Sequence, residues 1–221
     1  MKVCTDACLF GAWLVQLLKE KEVLFHQALD VGAGTGLLSL MIAQQHQFAI
    51  DALEINEDAY VQCKGNISNT PWTFKINPIN KPLQDFYPVK KYDLIFSNPP
   101  FYENDLKSDL IAKNQALHDT SLKLDVLVDF IDQNLHNEGM AALLIPYSRW
   151  TYLEKLICEK GFYVNDLMLV KQSSNHNYFR TMVCFSKKPT SLKQNEMHIK
   201  DENGKYAESF SSLLYEYYLD R

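Results

Sequence analysis

Several things are scarce in this chain, and each scarcity excludes a class. Eight glycines and eight prolines among 221 residues are too few for a collagen-like or linker-like polymer. The five cysteines (Cys4, Cys8, Cys63, Cys158, Cys184) are odd in number, scattered, and contain no Cys-x-x-Cys. They fit neither a disulfide framework nor a zinc site, so no metal is expected. They read instead as reduced thiols packed as small apolar groups. No run approaches the roughly 18 apolar residues of a membrane span. The longest candidate, Ala28 to Ala43, is broken by Asp30 and three glycines. No basic-then-apolar leader precedes a small-residue cleavage site, so a cytoplasmic protein without a membrane partner is expected. Basic charge is not in excess either. With 22 Lys+Arg against 27 Asp+Glu the net charge is -5, which argues against a general nucleic-acid coat but leaves room for a local basic face.

What is present is a 47% hydrophobic, 22% charged chain with no repeat and no visible boundary, read as one domain over residues 1–221. Nothing in it demands an oligomer, so a monomer is expected. Helices are predicted over Leu9–Glu20, Leu37–Gln45, Asp58–Asn69, Leu122–Leu135, Ser148–Glu159 (N-capped by Ser148) and Ala207–Leu219. Tyr215, Tyr217 and Tyr218 are expected to pack the last of these onto the sheet. Strands are predicted over Gln27–Val31, Phe48–Glu54, Thr73–Ile76, Tyr92–Phe96, Met140–Ile145, Phe162–Val170 and Thr181–Phe185, with a small further strand at Met197–Lys200. A polar loop from Tyr102 to about Asp119 is long for a compact domain and reads as functional. Alternating strands and helices give a doubly wound, mainly parallel α/β sheet of seven strands. No crossover helix separates the sixth and seventh, so the last runs antiparallel.

Two motifs carry chemistry. Asp30-Val-Gly32-Ala-Gly34-Thr-Gly36 ends a strand and opens a helix. Glycines there permit a tight turn and close approach of a ligand, and the helix start offers N–H groups to an anion. The spacing is not Gly-x-Gly-x-x-Gly, because Leu37 stands where that fingerprint needs its last glycine. Glu54 ends the next strand, placed to accept the two hydroxyl protons of a ribose. The second motif, Ser97-Asn98-Pro99-Pro100-Phe101, follows a strand on the same sheet edge. Its prolines stiffen the backbone and have no N–H. The Asn98 side-chain oxygen and the Pro99 carbonyl can then converge on a planar amine, and Phe101 can stack on the flat group that carries it. Taken alone, this element is a proline turn ending in a buried Phe; its place beside the glycine loop makes it a site.

Together these residues resemble a class I S-adenosylmethionine-dependent methyltransferase of the amino-methylating branch. The opening Met1-Lys-Val-Cys-Thr-Asp6-Ala-Cys-Leu-Phe-Gly11-Ala-Trp13 closely resembles the tRNA(Val) adenine-37 N6-methyltransferase family. Asn69-Thr-Pro71-Trp72 and Lys205-Tyr206-Ala-Glu-Ser209 do so too. The resemblance implies a Rossmann-like fold, S-adenosylmethionine as methyl donor, tRNA as partner and the N6 amine of adenine as target. It implies Asn98, Pro99, Pro100 and Phe101 as catalytic residues, and Asp30, Gly32, Gly34, Gly36 and Glu54 as cofactor ligands. It also places Asp6 by the cofactor entrance; the competing reading of Asp6 is a helix N-cap. Family members usually carry a lead-in segment ahead of the position of Lys2, and glycine where Cys4 and Ala7 or Cys8 stand. An acidic residue commonly follows their third strand and contacts the cofactor adenine. That position falls near Pro82 here, leaving Asp85 or backbone groups near Asn80. His118 reads as a loop histidine. Lys90, Lys91, Arg149, Lys171, Arg180, Lys187 and Lys188 read as surface charge, or as a phosphate track.

The alternative is a glutamine N5-methyltransferase acting on a protein such as a release factor, since a glutamine amide is also a planar amine. Those enzymes add a long N-terminal helical domain, and only 29 residues precede Asp30. A binding module that kept the fold without catalysis is the third reading, opposed by the intact Asn98-Pro-Pro-Phe101.

Overall fold

The computed structural model describes residues 4–21, 24–100 and 122–217. The first helix, α1 (Thr5–Glu20), begins earlier than Leu9 because its buried face continues through Ala7 and Cys8. Gly11 is where it crosses the helix that carries Met41; a Cβ there would lie 2.6 Å from Met41 Sδ. Strand β1 (Gln27–Val31) and helix α2 (Leu37–Gln45) occupy the spans read from the sequence. Strand β2 (Ala49–Glu54) and helix α3 (Glu57–Ser68) follow, with the Asn56 side chain capping α3 by accepting from Ala59 N–H at 2.9 Å.

The third strand corrects the sequence reading. A turn occupies residues 71–75, and β3 is Ile76–Asn80 rather than Thr73–Ile76. It pairs only with β2, and an edge position tolerates Pro78, which has no N–H for a second neighbour. A short 3-10 turn, Leu83–Asp85, leads to β4 (Tyr92–Ser97). The loop read over Tyr102–Asp119, with His118, lies outside the described residues.

Helix α4 (Leu124–Asn134) runs directly into β5 (Leu135–Pro146), which is longer than Met140–Ile145 because its start re-pairs beside Tyr92. Ser148 is not a helix cap. It sits within a 3-10 turn, Tyr147–Arg149, and α5 (Trp150–Glu159) starts after it without a side-chain cap. The antiparallel hairpin is β6 (Tyr163–Ser173) with β7 (Tyr178–Ser186). Strand β8 (Lys193–Lys200) is twice the length expected, and α6 (Glu208–Leu214) is shorter. Of the tyrosines assigned to packing α6, Tyr217 lies against the core, Tyr215 is exposed, and Tyr218 lies outside the described residues.

The sheet order is β3-β2-β1-β4-β5-β7-β6-β8. The expected seven-strand frame is present and only β7 runs against the others; β8 adds an eighth strand, parallel to β6, at the edge. Helices α1, α2, α3 and α6 cover one face, and α4 and α5 the other. Leu29, Leu94, Ile95 and Phe96 in the central strands are fully buried. Each such side chain contributes about 1.5–3 kcal/mol, so the strand ends that carry the motifs are held by the best-packed part of the molecule. No helix among the described residues is long and apolar enough to cross a membrane.

Candidate active site

Strand order reverses between β1 and β4, and at such a switch point the connections at the carboxyl ends diverge and leave a crevice. The glycine loop leaves β1 there. Gly32 (φ 73°), Gly34 (φ 57°) and Gly36 (φ 83°) all take left-handed backbone. Gly36 is constrained twice over, since a Cβ would also meet Cys63 Sγ at 2.8 Å. Much of the loop's donor capacity is spent internally. Gly32 and Ala33 N–H both donate to the Leu53 carbonyl at 2.9 Å, and Gly36 N–H donates to the Ala33 carbonyl at 2.8 Å.

Glu54 braces this loop. Its Oε2 accepts from Gly34 N–H at 2.7 Å and its Oε1 from Asn56 N–H at 2.8 Å. The side chain is therefore aimed by two backbone donors, a role the sequence did not reveal. Each carboxylate oxygen still keeps a further lone pair. Asp30 is fully buried beneath the loop. Its Oδ2 accepts from the Ser39 hydroxyl at 2.7 Å, while Oδ1 has no partner among the described residues. Burial, with the nearby charge of Glu54 adding to it, pushes the Asp30 carboxyl up to about 7. Burial, and then the charges of Asp30 and Glu54, push the Cys63 thiol up to about 12, so it packs as a neutral group.

The second motif leaves β4 one strand away. The Ser97 hydroxyl donates to the Val31 carbonyl at 2.6 Å, tying the end of β4 to the end of β1. Asn98 is half-buried, Pro99 buried and Pro100 exposed. No donor or acceptor among the described residues engages the Asn98 side chain. Phe101 lies outside the described residues.

Asp6 is not the cap of α1, since Cys4 holds that position. Its Oδ1 accepts from Ala7 N–H at 3.0 Å and its Oδ2 from Arg180 Nε at 2.8 Å. Burial alone would raise the Asp6 carboxyl, but hydrogen bonds from Cys4 and Arg180 outweigh it and hold it below the usual range. From the sequence Arg180 reads as surface charge or part of a phosphate track, and its link to Asp6 is not legible. The strand read from the sequence starts at Thr181, one residue short of Arg180, whereas β7 continues back to Tyr178 past a bulge: Val170 pairs with Arg180 and Lys171 with Tyr178, leaving Phe179 unpaired. Phe179 packs toward the α1 face and Tyr178 toward the α5 face, the reverse of what alternation back from Met182–Phe185 gives, whereas Arg180, on the Met182 side of the bulge, keeps the phase that faces α1. Arg180 also pairs with Pro146 at the end of β5, which puts the Asp6–Arg180 link on the same sheet edge as Asn98.

Asp85 is exposed on the 3-10 turn after β3. Asn80 donates through Nδ2 to the carbonyls of Glu54 (2.9 Å) and Ile55 (3.3 Å), closing β3 onto β2. The fold thus gathers Asp30, the glycine loop, Glu54 and Asn98 at one crevice, joins Asp6 to Arg180 beside it, and sets Asp85 on the surface beyond β3.

Known proteins share this fold. Residues 10–124, just over half of the chain, match the family described as methyltransferase small domain. A predicted O-methyltransferase of Agrobacterium tumefaciens has the same fold, with a TM-score of 0.70 at 11% identity over 94% of each chain. Two relatives are much nearer in sequence. One from Dyadobacter fermentans is 32% identical over 99% of this chain and 91% of its own. One from Flavobacterium johnsoniae is 33% identical over 99% of this chain and 93% of its own. Both are named tRNA1(Val) (adenine(37)-N6)-methyltransferase. With the glycine loop, Glu54 and Asn98-Pro-Pro in place, and with identity running along nearly the whole length, the chain belongs to the tRNA1(Val) (adenine(37)-N6)-methyltransferase family.

Proposed function

We propose that this chain transfers a methyl group from S-adenosylmethionine to the N6 amine of an adenine in tRNA, adenine 37 of tRNA(Val) by its family, in the cytoplasm and as a monomer. One observation carries the reading. An Asn98 side chain that no partner among the described residues engages, followed by two prolines, leaves β4 beside the glycine loop, and the Ser97–Val31 hydrogen bond fixes the two together.

The residues fit the cofactor. The space beside Gly32, where a side chain would stand, is open to 4 Å. The Asp30 Oδ1 atom lacks a partner among the described residues, and Glu54 keeps acceptor capacity for a ribose diol. Gly32, Gly34 and Gly36 let the backbone approach, Asp6 bounds the entrance, and Asp85 is the acidic candidate on the adenine side. When bound, S-adenosylmethionine supplies an electrophilic methyl group on a sulfonium centre.

The adenine amine is a poor nucleophile because its lone pair is delocalised into the ring. The Asn98 oxygen and the Pro99 carbonyl accept its two protons, which favours a more pyramidal nitrogen. Pro100 keeps the turn rigid, and Phe101 stacks on the flipped base. Placement and these fixed acceptors then supply most of the rate. No strong base is required, because the nitrogen's proton becomes acidic once the methyl arrives.

The test is methyl transfer from labelled S-adenosylmethionine to bulk tRNA from a strain lacking this protein, followed by nucleoside digestion. Labelled N6-methyladenosine that disappears with Asn98→Ala is the expected result. Label in protein glutamine and none in tRNA would replace this reading with the glutamine N5-methyltransferase alternative.

A further inference from the structure

The sheet edge that carries Asn98 holds a second group of side chains, which methyl transfer as derived above does not use. Leu143 on β5 pairs with Ser97 on β4, and three residues later β5 ends at Pro146. Tyr147 therefore leaves the sheet one strand over from where Asn98 leaves it. From there a row of aromatic and cationic groups runs outward. The rings of Tyr147 and Tyr178 lie 5.1 Å apart and tilted by 46°, so neither ring covers the face of the other. Lys171 Nζ stands 4.6 Å from the Tyr178 ring centre. The Arg149 guanidinium stands 5.2 Å from the Tyr152 ring centre. Tyr147 is 39% and Tyr152 44% exposed, and Arg149 is exposed as well.

Chance does not explain this placement well. Single exposed aromatics are common on protein surfaces, but three tyrosines with two cations at one strand-end edge are not scattered. The cations are also unevenly satisfied. Lys171 is 3.7 Å from Glu196, whose carboxylate accepts from the Tyr178 hydroxyl as well and so holds that ring in place. Arg149 has no carboxylate partner among the described residues. Arg180, by contrast, is engaged with Asp6 and is not part of this row. The group carries two cations against one carboxylate in a chain whose net charge is -5, so it is a local reversal of sign.

We propose that Tyr147, Arg149, Tyr152, Lys171 and Tyr178 form the surface on which the single-stranded RNA loop lies while its target adenine is turned into the crevice at Asn98. The inference rests on the reading of the chain as an RNA adenine methyltransferase and adds to it the docking face. Ring faces stack on unpaired bases regardless of sequence, and the two cations meet the phosphates between them. A flipped base leaves its neighbours unstacked, and these rings stand where those neighbours would pass.

The experiment measures binding of bulk tRNA by the full chain across a salt series, for the wild type, Tyr147→Ala and Arg149→Glu. Binding of S-adenosylmethionine to each is measured in parallel. Tyr147→Ala is expected to weaken tRNA binding roughly 10-fold. Arg149→Glu, at an exposed position whose ring contact is with Tyr152, is expected to weaken it at least as much and to lower the slope of log affinity against log salt by about 0.7. In both variants KM for tRNA rises while kcat and cofactor affinity stay within about threefold of wild type. A wild type that methylates tRNA, with variants that match it in tRNA affinity and salt slope, overturns the docking face and leaves the function standing. A wild type that binds the cofactor but neither binds nor methylates tRNA overturns the function, and this inference with it.

Discussion

At the amino end of the sheet Asp51 accepts from three donors: Gln27 Nε2 at 3.1 Å, the Tyr92 hydroxyl at 2.8 Å and Asn77 Nδ2 at 2.8 Å. Asp93 accepts there from the backbone N–H groups of His26 at 2.8 Å and Gln27 at 3.0 Å. At the carboxyl end of the same strands Asp30 keeps an unpartnered oxygen, and Asn98 has no partner for its side chain among the described residues. Asp51 and Asp93 are consumed in joining strands. Asp30 and Asn98, at the other end, are held in place with capacity left over. A buried polar group without its partner is unfavourable by about 1–3 kcal/mol, so at Asp30 the carboxyl end is the less fully satisfied of the two.

Substitutions at the two ends should therefore separate activity from stability. The largest effect is expected from Asn98→Ala, which removes one of two acceptors from the amine. Single-turnover methyl transfer should fall about 10²- to 10³-fold with the melting temperature almost unchanged. A large drop in melting temperature would mean that Asn98 belongs with the structural group instead.

Glu54→Gln comes next. It weakens the bond to Gly34 N–H and removes an acceptor for a diol. Cofactor affinity by calorimetry should fall by about 10- to 100-fold, with a smaller loss of stability.

The third prediction concerns pH. The folded-state carboxyl of Asp30 titrates near 7, above its ordinary value of 3.8. The native protein therefore binds more protons than the unfolded chain between those limits. The Asp30 contribution is fully present below about pH 4, declines by up to about 1.4 kcal/mol per pH unit, and is lost above about 7. Urea denaturation of the ligand-free protein at pH 5 and pH 7.5 should show this decline, and Asp30→Asn should flatten it.

The smallest effect belongs to the amino end. Tyr92→Phe leaves Asp51 two donors, so stability should drop by about 1 kcal/mol while kcat is untouched. Any loss of activity there would break the contrast between the two ends.

The centre of the fold was readable in the sequence because local and global signals agree there. Gln27–Val31 and Leu37–Gln45 are an apolar run and an apolar helix separated by three glycines, and both occur with those bounds. The edges were not readable for the opposite reason. Ile76-Asn-Pro-Ile-Asn80 has polar residues and a proline at positions half open to solvent, so its strand shows no alternation. Lys193–Met197 is likewise polar and largely exposed. The placement of the motif residues at the ends of β1, β2 and β4 was legible from order and spacing. That of Arg180 was not, because it lies one residue outside the strand read at Thr181–Phe185 and its partner Asp6 is 174 residues away in the chain. The bracing of the glycine loop by Glu54 was hidden too, since a backbone donor leaves no mark on a sequence.

The two outermost strands have one more consequence. A sheet of eight strands ends in two rows of backbone groups that another chain could extend. On β3 the row is interrupted by Pro78, which has no N–H to offer. On β8 it is lined by Lys193, Glu196 and Lys200, whose charges would lose their water if a neighbour paired there. Residues that blurred both strands in the sequence thus guard the sheet against growing, copy upon copy, into an aggregate.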